Sequence, residues 1–430
     1  MITGSIGILI FLILVGVGLP IAVALLLVGL SGLLLLIGLD PTLATSAPMF
    51  YNYISKYEFS VIPMFILMGN IGYYSGLFSD IFDIARKWLG RLPAGLAVSV
   101  VTAQCLFGAC SGSSVAACVV IGKSAYPIMK KAGYPDELST GVIAGSGDLA
   151  MLIPPSITMC IYGLLVDQSI GRLLIGGILP GLLTGAIYSA ILIVWTGRTI
   201  PRDYTVFTLK EKFYALRYLW VVLVLILAIM GGIYGGICTP TEAGAFSVFA
   251  MFVLALVTRR VNREMMWKSI RSTIISTGMI LIIIVAAVLF ARFLTLCGFS
   301  RGISEWVGRI NAPDIVIFAI MVAIYLFLGC FVGATGMMVM TLPTFFPLAM
   351  ALGWDPVWFG IEVVILCECA VQTPPVGVNL YATQSIAPDV PITTIMKGTV
   401  PFVLRDIAIV WIIYFFPQIA TFLPNLMLGR

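Results

Sequence analysis

Two apolar stretches, residues 93–130 and 313–350, are each too long for one membrane helix, and each is broken near its centre. The breaks read GACSGSSVA at 108–116 and GCFVGATG at 329–336. A helix crossing the roughly 30 Å hydrocarbon core needs about 20 apolar residues, so a longer run with a glycine-rich centre predicts a re-entrant hairpin, entering and leaving on one side. Backbone without helical hydrogen bonds survives at membrane depth only where protein buries it or water reaches it. The chain must therefore be all-α, polytopic and built around interior breaks.

The rest of the sequence agrees. Of 430 residues, 60% are hydrophobic and 10% charged, and no segment is long and polar enough for a soluble domain. The apolar start MITGSIGILIFLILVG, without a basic leader or cleavage site, predicts a first helix rather than a signal peptide. Spans are expected near 4–19, 20–39, 59–82, 137–165 and 172–197, then near 213–238, 242–258, 272–296, 357–387 and 398–423.

The two halves repeat at an offset of about 220 residues: Pro20 matches Pro240, Pro93 matches Pro313, Gly112 matches Gly333, and Pro127 matches Pro347. MLIPPSI at 151–157 falls on VQTPPVG at 371–377, and Asp148 falls on Glu368, each six residues before its Pro-Pro pair. Two repeats are expected, 1–204 (scaffold helices 4–82, hairpin 93–130, broken helix 137–165) and 205–430 (scaffold helices 213–296, hairpin 313–350, broken helix 357–387). Each holds five spans, one of them broken, plus a hairpin. An odd number of crossings inverts the second repeat, an arrangement found in secondary transporters.

Loop charge orients this scheme. Lysines and arginines gather at 86–91, 130–131, 198–217, 259–271 and 397, while the opposite side holds Lys56, Arg172, Arg301, Arg309 and Arg430. The rich side, which includes Arg198, Arg202 and Arg217, reads as cytoplasmic, so both termini are expected in the periplasm. The net charge of +5 is this loop bias and carries no nucleic-acid signature.

Each interior break can supply carbonyl and hydroxyl oxygens for a small cation and helix N-termini for an anion. The candidate cation ligands are Ser111, Gly112, Ser113, Ser114 and Gly147 in the first half, and Gly333, Ala334, Thr335 and Thr373 in the second. For the solute they are Ser114, Asp148, Pro154, Pro155, Ser156, Gly336, Pro374, Pro375 and Asn379. Ser-Gly pairs also serve close helix packing, and Pro pairs simple kinks; the recurrence of tip and break in both halves favours a binding role. Asp148 and Glu368 are expected to face the transport path or a hydrated crevice.

Enzyme chemistry finds little support. There is no histidine, which removes Ser-His nucleophiles and His-ligated metals, and the nine cysteines fall mostly in apolar runs without a C-x-x-C pair, so they read as packing residues rather than a transition-metal site. GKS at 122–124 is not a phosphate loop, since Ala117 stands where that motif needs glycine.

The runs SGSSVA, LIPPSI, GGILPGL, CTPTEAGA at 238–245 and TPPVGVNLY at 373–381 resemble the large membrane subunit of tripartite ATP-independent periplasmic (TRAP) transporters, over essentially the full chain. The resemblance implies an elevator-type inverted-repeat fold and Na⁺-driven symport of a small organic acid anion, with no cofactor beyond the coupling ion. It also implies a bacterial inner membrane, a small four-helix membrane subunit and a soluble periplasmic binding protein. A stand-alone ion-coupled symporter or exchanger, or a channel, would lack that delivery protein. The chain departs from the usual family pattern at Asp148, at Glu368 and in the second tip, so its solute chemistry is expected to differ from that of sialic acid or C4-dicarboxylate members, with a sulfonate as one possibility.

Overall fold

A computed structural model describes residues 2–428 apart from 79, 198–199, 201–204, 206, 217–218, 300–301, 304, 306–312 and 375–376. Pro375 and the loop arginines Arg198, Arg202, Arg217, Arg301, Arg309 and Arg430 thus lie outside the described residues. Among those described, every regular element is helical.

Ile170–Thr196, Pro240–Val257, Arg263–Leu296, Ala334–Ala351 and Ile392–Phe415 are each long and apolar enough to cross a bilayer. Asp136–Leu152 with Ile157–Leu165 forms a further span bent by 47°, and Ile2–Gly16, Ile21–Ile37, Gly95–Ser111, Val222–Tyr234 and Asp314–Gly329 are shorter apolar helices. The protein is therefore a multi-pass membrane protein.

Several boundaries differ from the expected spans for local reasons. The 59–82 span divides, because Val61–Tyr74 ends at a turn with left-handed Gly76 (φ 68°) and a separate helix, Ile81–Leu89, buries Ile81, Phe82, Ile84 and Ala85 while carrying Arg86 and Lys87 in its last turn. The 272–296 span starts earlier, at Arg263, because Asn262 caps it by accepting from Met265 N at 2.7 Å. At 1.5 Å per residue its 34 residues extend about 51 Å, so the helix outruns the hydrocarbon core. Residues 39–54, given no element by the sequence, form the helix Leu39–Ile54, with Pro41 in its first turn and Pro48 inside it.

The helices pack as two groups. In one, Arg263–Leu296 lies along Ile21–Ile37 and Val61–Tyr74, and Pro240–Val257 packs on Val61–Tyr74. In the other, Ile392–Phe415 packs on Asp136–Ser146 and Pro356–Gln372, beside the helix pairs Gly95–Ser111 with Ser114–Lys131 and Asp314–Gly329 with Ala334–Ala351. Small residues set the approach: a Cβ at Gly141 would lie 2.3 Å from Gly398 O, so this crossing exists only without side chains. Every residue from Val357 to Gln372 is buried, which marks that helix as central to its group.

Candidate functional site

The first tip is a tight turn held by its own hydroxyls. Gly95–Ser111 ends at Gly112, which is left-handed (φ 60°), and Ser114–Lys131 begins after Ser113, whose Oγ accepts from Ala116 N at 3.4 Å. Ser113 N in turn donates to Ser111 Oγ at 3.4 Å. The tip wedges against the first Pro-Pro break: a Cβ at Gly112 would lie 2.7 Å from Pro155 O, and one at Gly108 would lie 2.6 Å from Ala150 Cα. The break contains a cis bond between Pro154 and Pro155, after which Ser156 caps Ile157–Leu165, accepting from Met159 N at 3.2 Å while donating to Met151 O.

The second tip has the same outline and different contents. Asp314–Gly329 gives way to Ala334–Ala351, whose N-cap, Gly333, is extended and offers no side chain. The matching break ends Pro356–Gln372 at Thr373, which donates to Cys369 O, and the helix resumes at Val378 after Gly377.

Both tips open on one cavity of about 580 Å³. Ser111, Gly112, Ser113 and Ser114 line it on one side, and Gly333, Ala334, Thr335 and Gly336 on the other. Ile157 with Thr158 and Val378 line it too, so the N-termini of four helices converge there. Their dipoles, and the first-turn amides that the caps at Ser113 and Ser156 do not take up, make the space favourable to negative charge. No Lys, Arg, Asp or Glu occurs among the lining residues.

The facing wall was not legible in advance. Asn70, Ser272 and Ser276 line the cavity from helices Val61–Tyr74 and Arg263–Leu296, where Asn70 Nδ2 donates to Thr273 Oγ1 at 2.9 Å and Ser272 Oγ donates to Asn70 Oδ1 at 3.4 Å. The only advance signal was a few polar residues inside apolar spans.

The other predicted site residues stand behind the lining. Gly147 O accepts from Ala150 N at 3.2 Å, and a Cβ there would lie 2.3 Å from Cys118 Sγ. Pro154, Pro155, Ser156, Thr373 and Pro374 form the breaks without lining the cavity. Asn379 is buried, donates to Ala144 O at 3.3 Å and leaves Oδ1 unpartnered.

Asp148 and Glu368 do not line the cavity either. Both are 0% exposed. Asp148 Oδ2 receives Tyr188 Oη at 3.1 Å and Gln372 Nε2 at 2.9 Å, and the same two donors also reach Asp406. The sequence paired Asp148 with Glu368 but missed Asp406, although Arg405-Asp406 inside the apolar run FVLRDIAIV was a visible anomaly.

Interior helix breaks that meet at one part-open cavity, its charge-free lining mostly apolar with a few hydroxyls, within a multi-pass bundle are the architecture of a secondary transporter. The chain belongs to the DctM component family of tripartite ATP-independent periplasmic transporters, whose profile matches residues 8–419. It is similar to the C4-dicarboxylate TRAP transporter large permease protein DctM of Pseudomonas aeruginosa, 33% identical over 400 residues, covering 92% of this chain and 93% of that one. It is also similar to the ectoine TRAP transporter large permease protein TeaC of Halomonas elongata, 34% identical over 369 residues, with 85% and 86% covered. Among solved structures, the YdaH transporter of Alcanivorax borkumensis shares the fold at a TM-score of 0.63 and 15% identity, covering 89% of this chain and 90% of that one.

Proposed function

We propose that this permease imports a small organic acid anion by Na⁺-coupled alternating access. The observation that carries the reading is the cavity itself, where four helix N-termini and several hydroxyls meet with no cationic side chain among the described lining residues. Helix ends and hydroxyls orient an anion, but they supply only partial charges, so a bound carboxylate or sulfonate needs a co-bound cation to balance it. A small hard ion such as Na⁺ suits an all-oxygen ligand set. The first cation site is assigned to the oxygens of Ser111, Gly112, Ser113 and Ser114, and the second to Gly333, Ala334 and Thr335 with Thr373. Ser114, Gly336 and the wall residue Asn70 are assigned to the solute.

In this reading the two halves are inverted repeats. The tips and breaks move together as an elevator against the group containing Ile21–Ile37 and Arg263–Leu296. Na⁺ stabilises the closed tips, so the loaded unit moves and the half-loaded unit does not. Both termini face the periplasm of a bacterial inner membrane. A small membrane subunit holds the scaffold, and a soluble periplasmic protein delivers the solute.

Reconstitution tests all of this together. Proteoliposomes holding the permease and its small subunit are given a panel of organic acids, each with the cognate binding protein, under an imposed Na⁺ gradient. Uptake that needs both gradient and binding protein supports the reading. Uptake without the binding protein assigns a stand-alone transporter instead, and uptake indifferent to Na⁺ removes the coupling ion.

A further inference from the structure

Behind the tip cavity, the two broken helices enclose acids that the transport reading leaves unused. Asp148 stands at the start of Leu149–Leu152, Glu368 and Gln372 are one turn apart on Pro356–Gln372, Asp406 comes from Ile392–Phe415 and Tyr188 from Ile178–Ile191. All five side chains are 0% exposed.

The hydrogens available to this cluster do not match its contacts if both aspartates are ionised. Tyr188 Oη lies 3.1 Å from Asp148 Oδ2 and also meets Asp406 Oδ1, yet a phenol carries one hydrogen. Gln372 Nε2 carries two, which go to Asp148 Oδ2 at 2.9 Å and to Asp406 Oδ2. The remaining contact of the hydroxyl therefore needs a hydrogen from a carboxyl group. One aspartate must carry that hydrogen, directed to Tyr188 or to the other aspartate, whose carboxyl group is also in hydrogen-bond contact.

Glu368 points the same way independently. Neither of its carboxyl oxygens has a partner, and it lies within electrostatic range of Asp148 and Asp406. Asp148 Oδ1 and Gln372 Oε1 are also buried and unpartnered. Among the described residues, the guanidinium beside them is Arg405, which lies near Asp406 and Tyr188 and stacks 4.3 Å over the Phe402 ring. Cys105 and Cys118 lie within electrostatic range of Asp148, and Cys369 within that of all three acids. One cation beside three buried acids leaves negative charge that burial does not tolerate.

We infer that Asp148, Tyr188, Asp406 and Gln372 form a proton-binding site, in which one proton is shared by the two aspartates beside the Tyr188 hydroxyl. The ligand is H⁺, and none of the four residues lines the tip cavity. The site ties the first break to the second break and to Ile392–Phe415, and losing its proton would set two carboxylates against one hydroxyl. This inference does not depend on Na⁺ or on the identity of the solute.

Infrared difference spectroscopy of the purified full chain in lipid, in H₂O and D₂O, tests it. At neutral pH the parent should show protonated-carboxyl C=O bands, with one and the same component altered or lost in Asp406→Asn and in Asp148→Asn, and shifted in frequency by Tyr188→Phe. Glu368→Gln and Glu362→Gln should each leave that component in place. If Asp406→Asn does not accumulate, Asp148→Asn and Tyr188→Phe decide the question. A parent without protonated-carboxyl bands, or bands that Asp148→Asn and Tyr188→Phe leave unaltered, overturns the assignment.

Discussion

The two tips, matched by sequence position, meet at one cavity and both hairpins press on a break, Gly108 on Ala150 and Gly329 on Ala370, yet the turn glycine itself is clamped only in the first. At the first, Gly112 is left-handed and its missing Cβ is the space taken by Pro155 O, while Ser113 caps the following helix. At the second, Gly333 is extended, nothing lies within 4 Å of where its Cβ would be, and the helix start has no side-chain cap. A repeated pattern of glycines thus conceals two different physical demands. The first glycine is required by backbone conformation and contact, whereas the second is required by neither.

The largest expected effect breaks or upholds that contrast directly. Gly112→Ala forces a Cβ into a left-handed residue and to within 2.7 Å of a carbonyl oxygen. Strain of this kind costs about 1–3 kcal/mol, so uptake should fall on the order of tenfold or more, with reduced yield of folded protein. Gly333→Ala at φ −67° meets no such conflict and should keep a normal melting temperature. Equal loss of folded protein in both variants would mean that the tips are equally constrained and that the contrast is false.

A middle effect separates capping from ion binding. Ser113→Ala removes the hydroxyl that accepts from Ala116 N, a loss worth about 1 kcal/mol for an N-cap, and it also removes a proposed Na⁺ ligand. Both the melting temperature and the Na⁺ activation of uptake should decline. Thr335→Val removes a hydroxyl with no capping duty, so Na⁺ activation should weaken while the melting temperature holds. If Thr335→Val leaves Na⁺ activation intact, the second cation site is not built from that side chain.

Much of this arrangement was legible because glycine and proline are conspicuous inside apolar runs. The hairpins, the breaks and the tip residues Ser111–Ser114 and Gly333–Gly336 were all marked by punctuation that a plain membrane helix does not carry. What stayed hidden came from side chains that reach across sequence: Asn70 meeting Ser272 and Thr273, or Tyr188 and Asp406 meeting Asp148. Such pairs follow from the tertiary path rather than from spacing. The matched acids Asp148 and Glu368 were found by alignment of the halves, but their burial behind the cavity depends on Pro356–Gln372 being covered on every side. Helix ends were misjudged where a single cap decided them, as with Asn262.

The smallest expected effect runs the comparison in the opposite direction, at the helices that follow Pro20 and stand at Pro240. Here the second half is the better secured. Thr239 Oγ1 accepts from Glu242 N at 3.3 Å, and the Glu242 carboxylate receives Thr239 N at 2.8 Å and the Thr239 hydroxyl at 2.9 Å, a full capping box. Its counterpart, Ile21–Ile37, begins after Pro20 with no side-chain cap at all. Thr239→Ala deletes the hydroxyl's contacts while keeping the bond from the backbone N–H of residue 239 to Glu242, and should lower the melting temperature slightly, with uptake unchanged because neither residue lines the cavity. Glu242→Gln keeps an acceptor in the same place, so its effect should be smaller still. A larger loss from Glu242→Gln than from Thr239→Ala would show that the carboxylate's charge, not the capping geometry, secures this helix, and the two halves would then differ there in electrostatics rather than in hydrogen bonding.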